Sequence, residues 1–269
     1  MQNKSRRARW AVACVLASGV SLLPVWAVDV IHLANGGKPI QAQDIQWRES
    51  DQTYRVTTPD GLMLPIPKAQ VERLEIAKPP TLGQAEAMVA AKQYAAAIPI
   101  LEDIVAKYKM KVWDNEARKM LAQSFMTMND PKKAASTLEG YMSSMAKSEI
   151  PAELIILYWK ALMASGGRGA TLKKELDDVV ATGTRPMAAA AMVMRANMNR
   201  EAGQKETAVL DYLRVVILFE NVKGVQPEAL FKAAEMLEEM RDPRADDLKK
   251  KLVQEYKDSE YAAKLSGKI

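Results

Sequence analysis

The sequence predicts a mostly helical chain, an α-solenoid of about five helix pairs preceded by a small all-β domain. Three observations predict it. A small or apolar position recurs at Ala97, Ala134, Leu172, Ala208 and Ala245, at intervals of 37, 38, 36 and 37 residues. Each anchor is followed at offsets of 4, 7 and 11 residues by a set such as Leu101, Ile104 and Tyr108, or Leu138, Tyr141 and Met145. Those offsets share one helix face, and a unit this short cannot bury that face alone, so units must stack. The third observation is a change of pattern: strand and turn signals fill residues 28–77 and stop at Thr81.

Residues 1–27 are expected to be an export signal. Lys4, Arg6, Arg7 and Arg9 form a basic start, an uncharged and mostly apolar stretch runs from Trp10 to Leu23, and Val25-Trp26-Ala27 suits cleavage after Ala27. Ser18, Gly19, Ser21 and Pro24 interrupt a stretch already short for a membrane anchor. Ser5-Arg6-Arg7 has the paired arginines of a twin-arginine signal, but Arg9 stands where that signal wants an apolar residue, which favours ordinary export. These four cations account for four units of the formal net charge of +5, so the exported chain is near neutral and no nucleic-acid partner is expected. Cys14 is the only cysteine. Too little apolar sequence precedes it for an acylated lipoprotein cysteine. The exported chain then holds no disulfide, thiolate metal site or cysteine nucleophile.

Residues 28–77 are expected to form a small curled sheet or barrel of five short strands, at about 28–33, 40–47, 54–57, 62–66 and 71–76. Asn35-Gly36-Gly37 and Asp60-Gly61 supply turns between them. Pro65 and Pro67 require an edge strand or a strand end. Lys78-Pro79-Pro80 is a stiff linker, because proline fixes its own φ and restrains the residue before it. From residue 81 to 269 ten helices are expected in five antiparallel pairs, at 81–91, 94–109, 113–128, 131–147, 151–165, 170–182, 186–202, 204–221, 226–240 and 243–265. The punctuation between them is Asp130-Pro131, Gly166-Gly167-Arg168-Gly169, Gly183-Thr184-Arg185-Pro186, Gly203-Gln204, Gly224 and Asp242-Pro243.

The first helix of each pair repeats too. Ala85, Ala122, Ala196 and Ala233 each lie 12 residues before an anchor, whereas repeat three has Lys160 there with Ala161 beside it. Small residues on both helices let the pair approach closely. With a large apolar residue four after the second alanine, as in repeats one, two and four, this pattern resembles the tetratricopeptide repeat (TPR) family over residues 81–265. The unit is longer than that family's, and no repeat has the usual first-helix tryptophan in its place. In the last two repeats, Tyr212-Leu213-Arg214-Val215-Val216, Pro227-Glu228-Ala229-Leu230 and Glu255-Tyr256-Lys257-Asp258-Ser259 are similar to repeats of bacterial-envelope proteins of the TolA-binding periplasmic type, with Lys257 in place of a proline. The resemblance implies a right-handed solenoid and an envelope scaffold that binds protein or peptide. By position it also implies groove-lining sites at Glu86, Val89, Lys119, Gln123, Met126, Val193, Asn197 and Arg200.

Residues for chemistry are sparse. His32 is the only histidine and sits in an expected strand between Ile31 and Leu33. The pairs Glu102-Asp103, Asp177-Asp178, Glu238-Glu239 and Asp246-Asp247 are adjacent on helices, so their carboxylates point about 100° apart and do not converge. The glycine-rich turn at 166–169 follows a helix and lacks the lysine of a phosphate loop. No cofactor and no enzyme activity are expected. Many of the 16 methionines fall in repeats two to four, where they fill imperfect cores or line an adaptable groove, Met126 being the best placed for the groove. The expected function is an exported protein-binding scaffold. The alternative is an envelope-attached structural or glycan-binding module in which the β domain binds, with Trp47 and Tyr54 as stacking rings, and the helices act as spacers.

Overall fold

The computed structural model describes residues 29–146, 149–166 and 169–267. The expected export signal at 1–27 lies outside them, as do Lys147, Gly167 and Arg168. The chain divides into two compact units, one ending at Ala77 and one beginning at Lys78.

The first unit is all β. Its strands are β1 (Asp29–Leu33), β2 (Ile40–Ala42), β3 (Asp44–Arg48), β4 (Thr53–Thr57), β5 (Met63–Pro67) and β6 (Val71–Glu75). They form two three-stranded antiparallel sheets, ordered β2-β1-β6 and β3-β4-β5. The sequence leads to one strand over 40–47, and the structure splits it at Gln43. Alternation explains the split. In a continuous strand Ala42 and Ile45 would face opposite sides, yet both are buried. Breaking the strand at Gln43, whose N–H donates to Thr57 O at 2.7 Å, turns both inward in different sheets. Ile31, Val56, Tyr54 and Ile66 complete this core. Pro65 and Pro67 lie on the edge strand β5, where a missing N–H costs no ladder bond. The turn from β4 to β5 holds Gly61 at φ +85°, and Thr58 N donates to Leu62 O at 2.9 Å across it.

The second unit is helical. Its elements are α1 (Pro80–Ala90), α2 (Tyr94–Lys107), α3 (Trp113–Thr127), α4 (Pro131–Ser144), α5 (Ala152–Ala164), α6 (Gly169–Thr182), α7 (Arg185–Glu201), α8 (Lys205–Leu218), α9 (Gln226–Glu239), α10 (Arg244–Glu255) and α11 (Glu260–Leu265). Prolines open α1, α4, α7 and α9, where the absent N–H had no helical partner. The last expected helix, 243–265, is two. Tyr256 N donates to Leu252 O at 2.9 Å and ends α10, and the Ser259 hydroxyl accepts from Ala262 N at 3.1 Å and starts α11. Consecutive helices pack together, and the first helices α1, α3, α5 and α7 also touch in series, which makes the array a solenoid.

The repeat register places its residues as the sequence predicts. Ala97, Ala134, Leu172, Ala208 and Ala245 are all buried, as are Leu101, Leu138, Leu176 and Tyr212 four residues on. Lys249, at the same place in repeat five, is half-buried and reaches Glu238 at 2.7 Å. Tyr108, Met145, Phe219 and Tyr256, eleven after their anchors, are half-buried at the rim. Two buried clusters result. One runs from α1 to α6, the other from α7 to α11, and α7 feeds both, through Ala191 and Met194 on one side and Val193 and Ala196 on the other.

Every pair turns through one left-handed residue: Lys92, Asn129, Gly166, Gly203 and Arg241, with φ between 56° and 74°. The same hydrogen bond closes four of these turns, from Gln93 N to Met88 O, Asp130 N to Phe125 O, Gln204 N to Asn199 O and Asp242 N to Leu237 O, each 2.8 Å. This is the Schellman termination of a helix. A Cβ is strained in that conformation, and the Lys92 side chain is exposed with nothing to lose. Lys92→Gly is therefore expected to stabilise the unit by about 1 kcal/mol. A thermal melt checks this, with a rise of about 2–4 °C expected and an unchanged or lower midpoint contradicting it.

The turns also correct the register of repeat three. Seven residues before them stand Ala85, Ala122, Trp159 and Ala196, and in repeat five Ala233 stands one residue earlier still. The helix-A contact position of repeat three is therefore Trp159, fully buried, and not Lys160, which is exposed. Opposite it Leu172 replaces the alanine of the other repeats. Alanines on both helices would allow a close approach, and in this pair, which has bulky side chains at both positions, α5 and α6 touch less than the two helices of any other pair.

Candidate binding surface on the first helices of the repeats

The groove residues expected from repeat position fall on two helices. Lys119, Gln123 and Met126 are spaced i, i+4, i+7 on α3, and Val193, Asn197 and Arg200 are spaced likewise on α7, so each set shares a face. Lys119 Nζ is 3.1 Å from Glu116 and 3.6 Å from Glu153 on α5. Those two carboxylates hold its ammonium in the charged form and raise its pKa. Gln123 is exposed. Met126 is half-buried against the first core cluster. Val193 is only 3% exposed and belongs to the second cluster, so it supports the helix from beneath and presents nothing to a partner. On α1, Val89 packs on the core, and Glu86 pairs with Lys78 at 2.6 Å.

Asn197 and Arg200 are brought together. With Met163 of α5, Glu201 of α7, and Glu228 and Lys232 of α9, they line an open pocket of about 420 Å³. The pocket is pre-organised by hydrogen bonds. Asn197 Nδ2 donates to Glu228 Oε1 at 3.0 Å, and Asn197 Oδ1 accepts from the Tyr212 hydroxyl. Arg200 is 3.2 Å and Lys232 3.4 Å from Glu235 Oε2. Burial pushes the Tyr212 and Tyr261 phenols well above the ordinary tyrosine range, and the nearby Glu228 carboxylate adds to the shift, so both rings are neutral donors. Lys119, Gln123 and Met126 are not among the residues of this pocket.

Position in the repeat does not reveal the α9 contribution. The α9 residues one period after Val193, Asn197 and Arg200 are Leu230, Ala234 and Leu237, all buried. The short α11 packs back on α9, with the Phe231 and Tyr261 rings 5.6 Å apart. What α9 presents instead is Glu228 and Lys232. The only signal for them is their i, i+4 spacing, which any helix face offers.

The remaining candidates take structural places. His32 Nε2 is 3.1 Å from Glu75 Oε1 across β1 and β6. Tyr54 is buried, and Trp47 opposite it is half-buried, the rings 4.9 Å apart and tilted by 56°, so they pair with each other and form no flat shared platform. Met120, Met192 and Met194 are buried and fill the core. Among the described residues no group of three or more His, Cys, Asp or Glu side chains is arranged to hold a metal ion. Among the same residues no helix is long and apolar enough to cross a membrane.

The helix pairs, their left-handed turns and their buried alanines define a TPR-like α-solenoid. No family model matches the chain. No curated protein matches it. Among solved structures, the C-terminal part of a TPR repeat-containing protein from Cytophaga hutchinsonii is similar to it: 14% identical, covering 64% of this chain and 78% of that one, with a TM-score of 0.26.

Proposed function

We propose that this chain is a protein-binding scaffold whose partner segment lies along the first helices of repeats two to four, anchored in the pocket between α7 and α9. The observation that carries the reading is that Asn197 and Arg200, expected on repeat position alone, line one open pocket with side chains from both neighbouring first helices. An extended segment there finds a guanidinium for a carboxylate, an amide N–H for a backbone carbonyl, and the thioethers of Met163 and Met126 for apolar side chains. The compartment we propose is the bacterial envelope, reached by export and removal of residues 1–27. The support for it is sequence alone: the basic-then-apolar start and the likeness of the last two repeats to the TolA-binding type.

The test is affinity capture from an envelope extract with the exported chain as bait, followed by titration of the captured partner. Arg200→Glu is expected to weaken binding about tenfold, about 1.4 kcal/mol, with little change in melting temperature, since its ion pair is part-exposed. Met126→Asp is expected to weaken it as well. Equal affinities for wild type and both variants would place the partner elsewhere, and the β unit would be the first surface to try.

A further inference from the structure

Two glycine turns of the β unit share a backbone and differ in chemistry. Gly36 N donates to Leu33 O at 3.1 Å in the first, and Gly61 N donates to Thr58 O at 2.9 Å in the second. Both glycines are left-handed, at φ +71° and +85°. The residue before the first is Asn35, and the residue before the second is Asp60. No other asparagine in the chain is followed by glycine. That neighbour matters, because the main-chain nitrogen after an asparagine is placed to attack its side-chain carbonyl carbon. A Cβ on the following residue obstructs the five-membered ring, and glycine has none and turns freely. Residues 34–39 are all exposed. Apart from its chain neighbours, nothing lies within 4 Å of where a Cβ of Gly36 would stand, so a ring has room. Asn35 Oδ1 already accepts from Gly37 N at 3.0 Å. Negative charge builds on that oxygen as Gly36 N attacks, and a donor in place there favours the transition state. Gly36 N must first leave Leu33 O, and at an exposed turn water takes over that bond.

We infer that Asn35 is a site of spontaneous covalent modification, deamidation through a cyclic imide formed with Gly36. Gly36 N yields its proton to hydroxide and bonds to Asn35 Cγ. The Cγ–Nδ2 bond breaks, and the amide nitrogen takes a proton from water and leaves as ammonia. A water molecule then opens the imide. Breaking the new N–Cγ bond restores the chain with an ordinary aspartate at position 35. Breaking the bond from Gly36 N to the main-chain carbonyl carbon leaves isoaspartate, with the chain running through Cγ. One water is consumed and one ammonia released in either case. Both products put a carboxylate, ionised at neutral pH, where a neutral amide stood. Isoaspartate also adds one backbone carbon to the loop between the paired residues Ile31 and Ile40. The second turn resists the same ring closure. The Asp60 carboxyl must be protonated before an oxygen leaves as water, and the Thr58 hydroxyl donates to it and holds it ionised, with its pKa lowered.

The experiment incubates the full folded chain at mildly alkaline pH and follows it by isoelectric focusing, ammonia release and peptide mass mapping. The chain is expected to gain one negative charge, with one ammonia released for each charge gained and the change confined to the peptide that holds Asn35. Gly36→Ala is expected to slow the gain at least about tenfold, since its Cβ obstructs the ring. Should Gly36→Ala disturb the hairpin through its left-handed φ, Asn35→Gln keeps the amide and the glycine turn but needs a six-membered ring, and is expected to slow it as much. Asn35 left intact in the folded chain would overturn the site. So would acidification of Asn35→Gln at the wild-type rate. Isoaspartate forming at position 60 as fast as at position 35 would overturn the distinction between the two turns on which the inference rests.

Discussion

Asp211→Ala is expected to cost the helical unit about 3–5 kcal/mol, the range for removing one partner of a buried ion pair. Asp211 is 1% exposed on α8. Its carboxylate accepts from Arg195 Nε at 2.8 Å and Arg195 Nη2 at 2.9 Å, a two-pronged pair, and from Arg214 Nη1 at 2.9 Å. Arg195, on α7, uses its third nitrogen on Asp177 of α6, at 2.9 Å. One guanidinium thus staples three successive helices across the junction between repeats three and four. Without Asp211 that guanidinium, 17% exposed, stays in a poorly solvated place with half its partners gone. Urea unfolding followed by helical circular dichroism measures the loss. Asp177→Ala is the control, because Asp177 is 47% exposed and its pair is worth less than about 1 kcal/mol. The double variant Arg195→Met with Asp211→Leu is expected to recover much of the stability, since it leaves no buried charge unpaired. If Asp211→Ala unfolds at the same urea concentration as Asp177→Ala, the staple contributes nothing.

That staple also marks where the sequence stops being legible. Asp211 reads as an isolated acid on a mostly apolar helix, and Asp177 as half of an adjacent acidic pair. Nothing local says that Arg195, 16 residues before Asp211 and on another helix, lies over both. The answer depends on how α6, α7 and α8 cross, which is a property of packing. The core was legible for the opposite reason. Burial at Ala97, Leu101 and Ile104 follows from helical period within a segment and from the repeat between segments. Trp159 lies between these cases. Counting 37 residues on from Ala85 and Ala122 lands on it, but counting 12 back from Leu172 lands on Lys160, because repeat three carries one more residue between its turn and its anchor. The break at Gln43 was hidden because residues 40–47 have strand composition throughout, and only the burial of both Ala42 and Ile45 shows that the chain changes sheet. In the candidate groove the α7 face was readable by position, while Glu228, Lys232 and Glu235 were not, because the equivalent α9 residues, Leu230, Ala234 and Leu237, are buried and a different face of α9 meets α7.

Leu138→Ala is expected to cost about 2–5 kcal/mol, the range for truncating a buried leucine. Leu138 has no exposed surface and lies on α4, one turn beyond the Ala134 contact, inside the cluster that runs continuously from α1 to α6. The packed helices around it relax only partly, so the lost transfer energy is joined by the energy of the hole left behind. The effect should also travel. Each repeat is held by its interfaces with its neighbours, and the first cluster joins repeats one to three while α7 shares its faces with the second. Amide exchange in Leu138→Ala is therefore expected to rise together across α1 to α6, and to rise less from α8 to α10. The thermal control is Lys132→Ala, an exposed position on the same helix. A melting shift no larger than that control's would mean that the buried face of repeat two is not the one the period assigns. An equal rise in exchange from α1 to α10 would mean that the two clusters unfold as one, with α7 transmitting the loss in full.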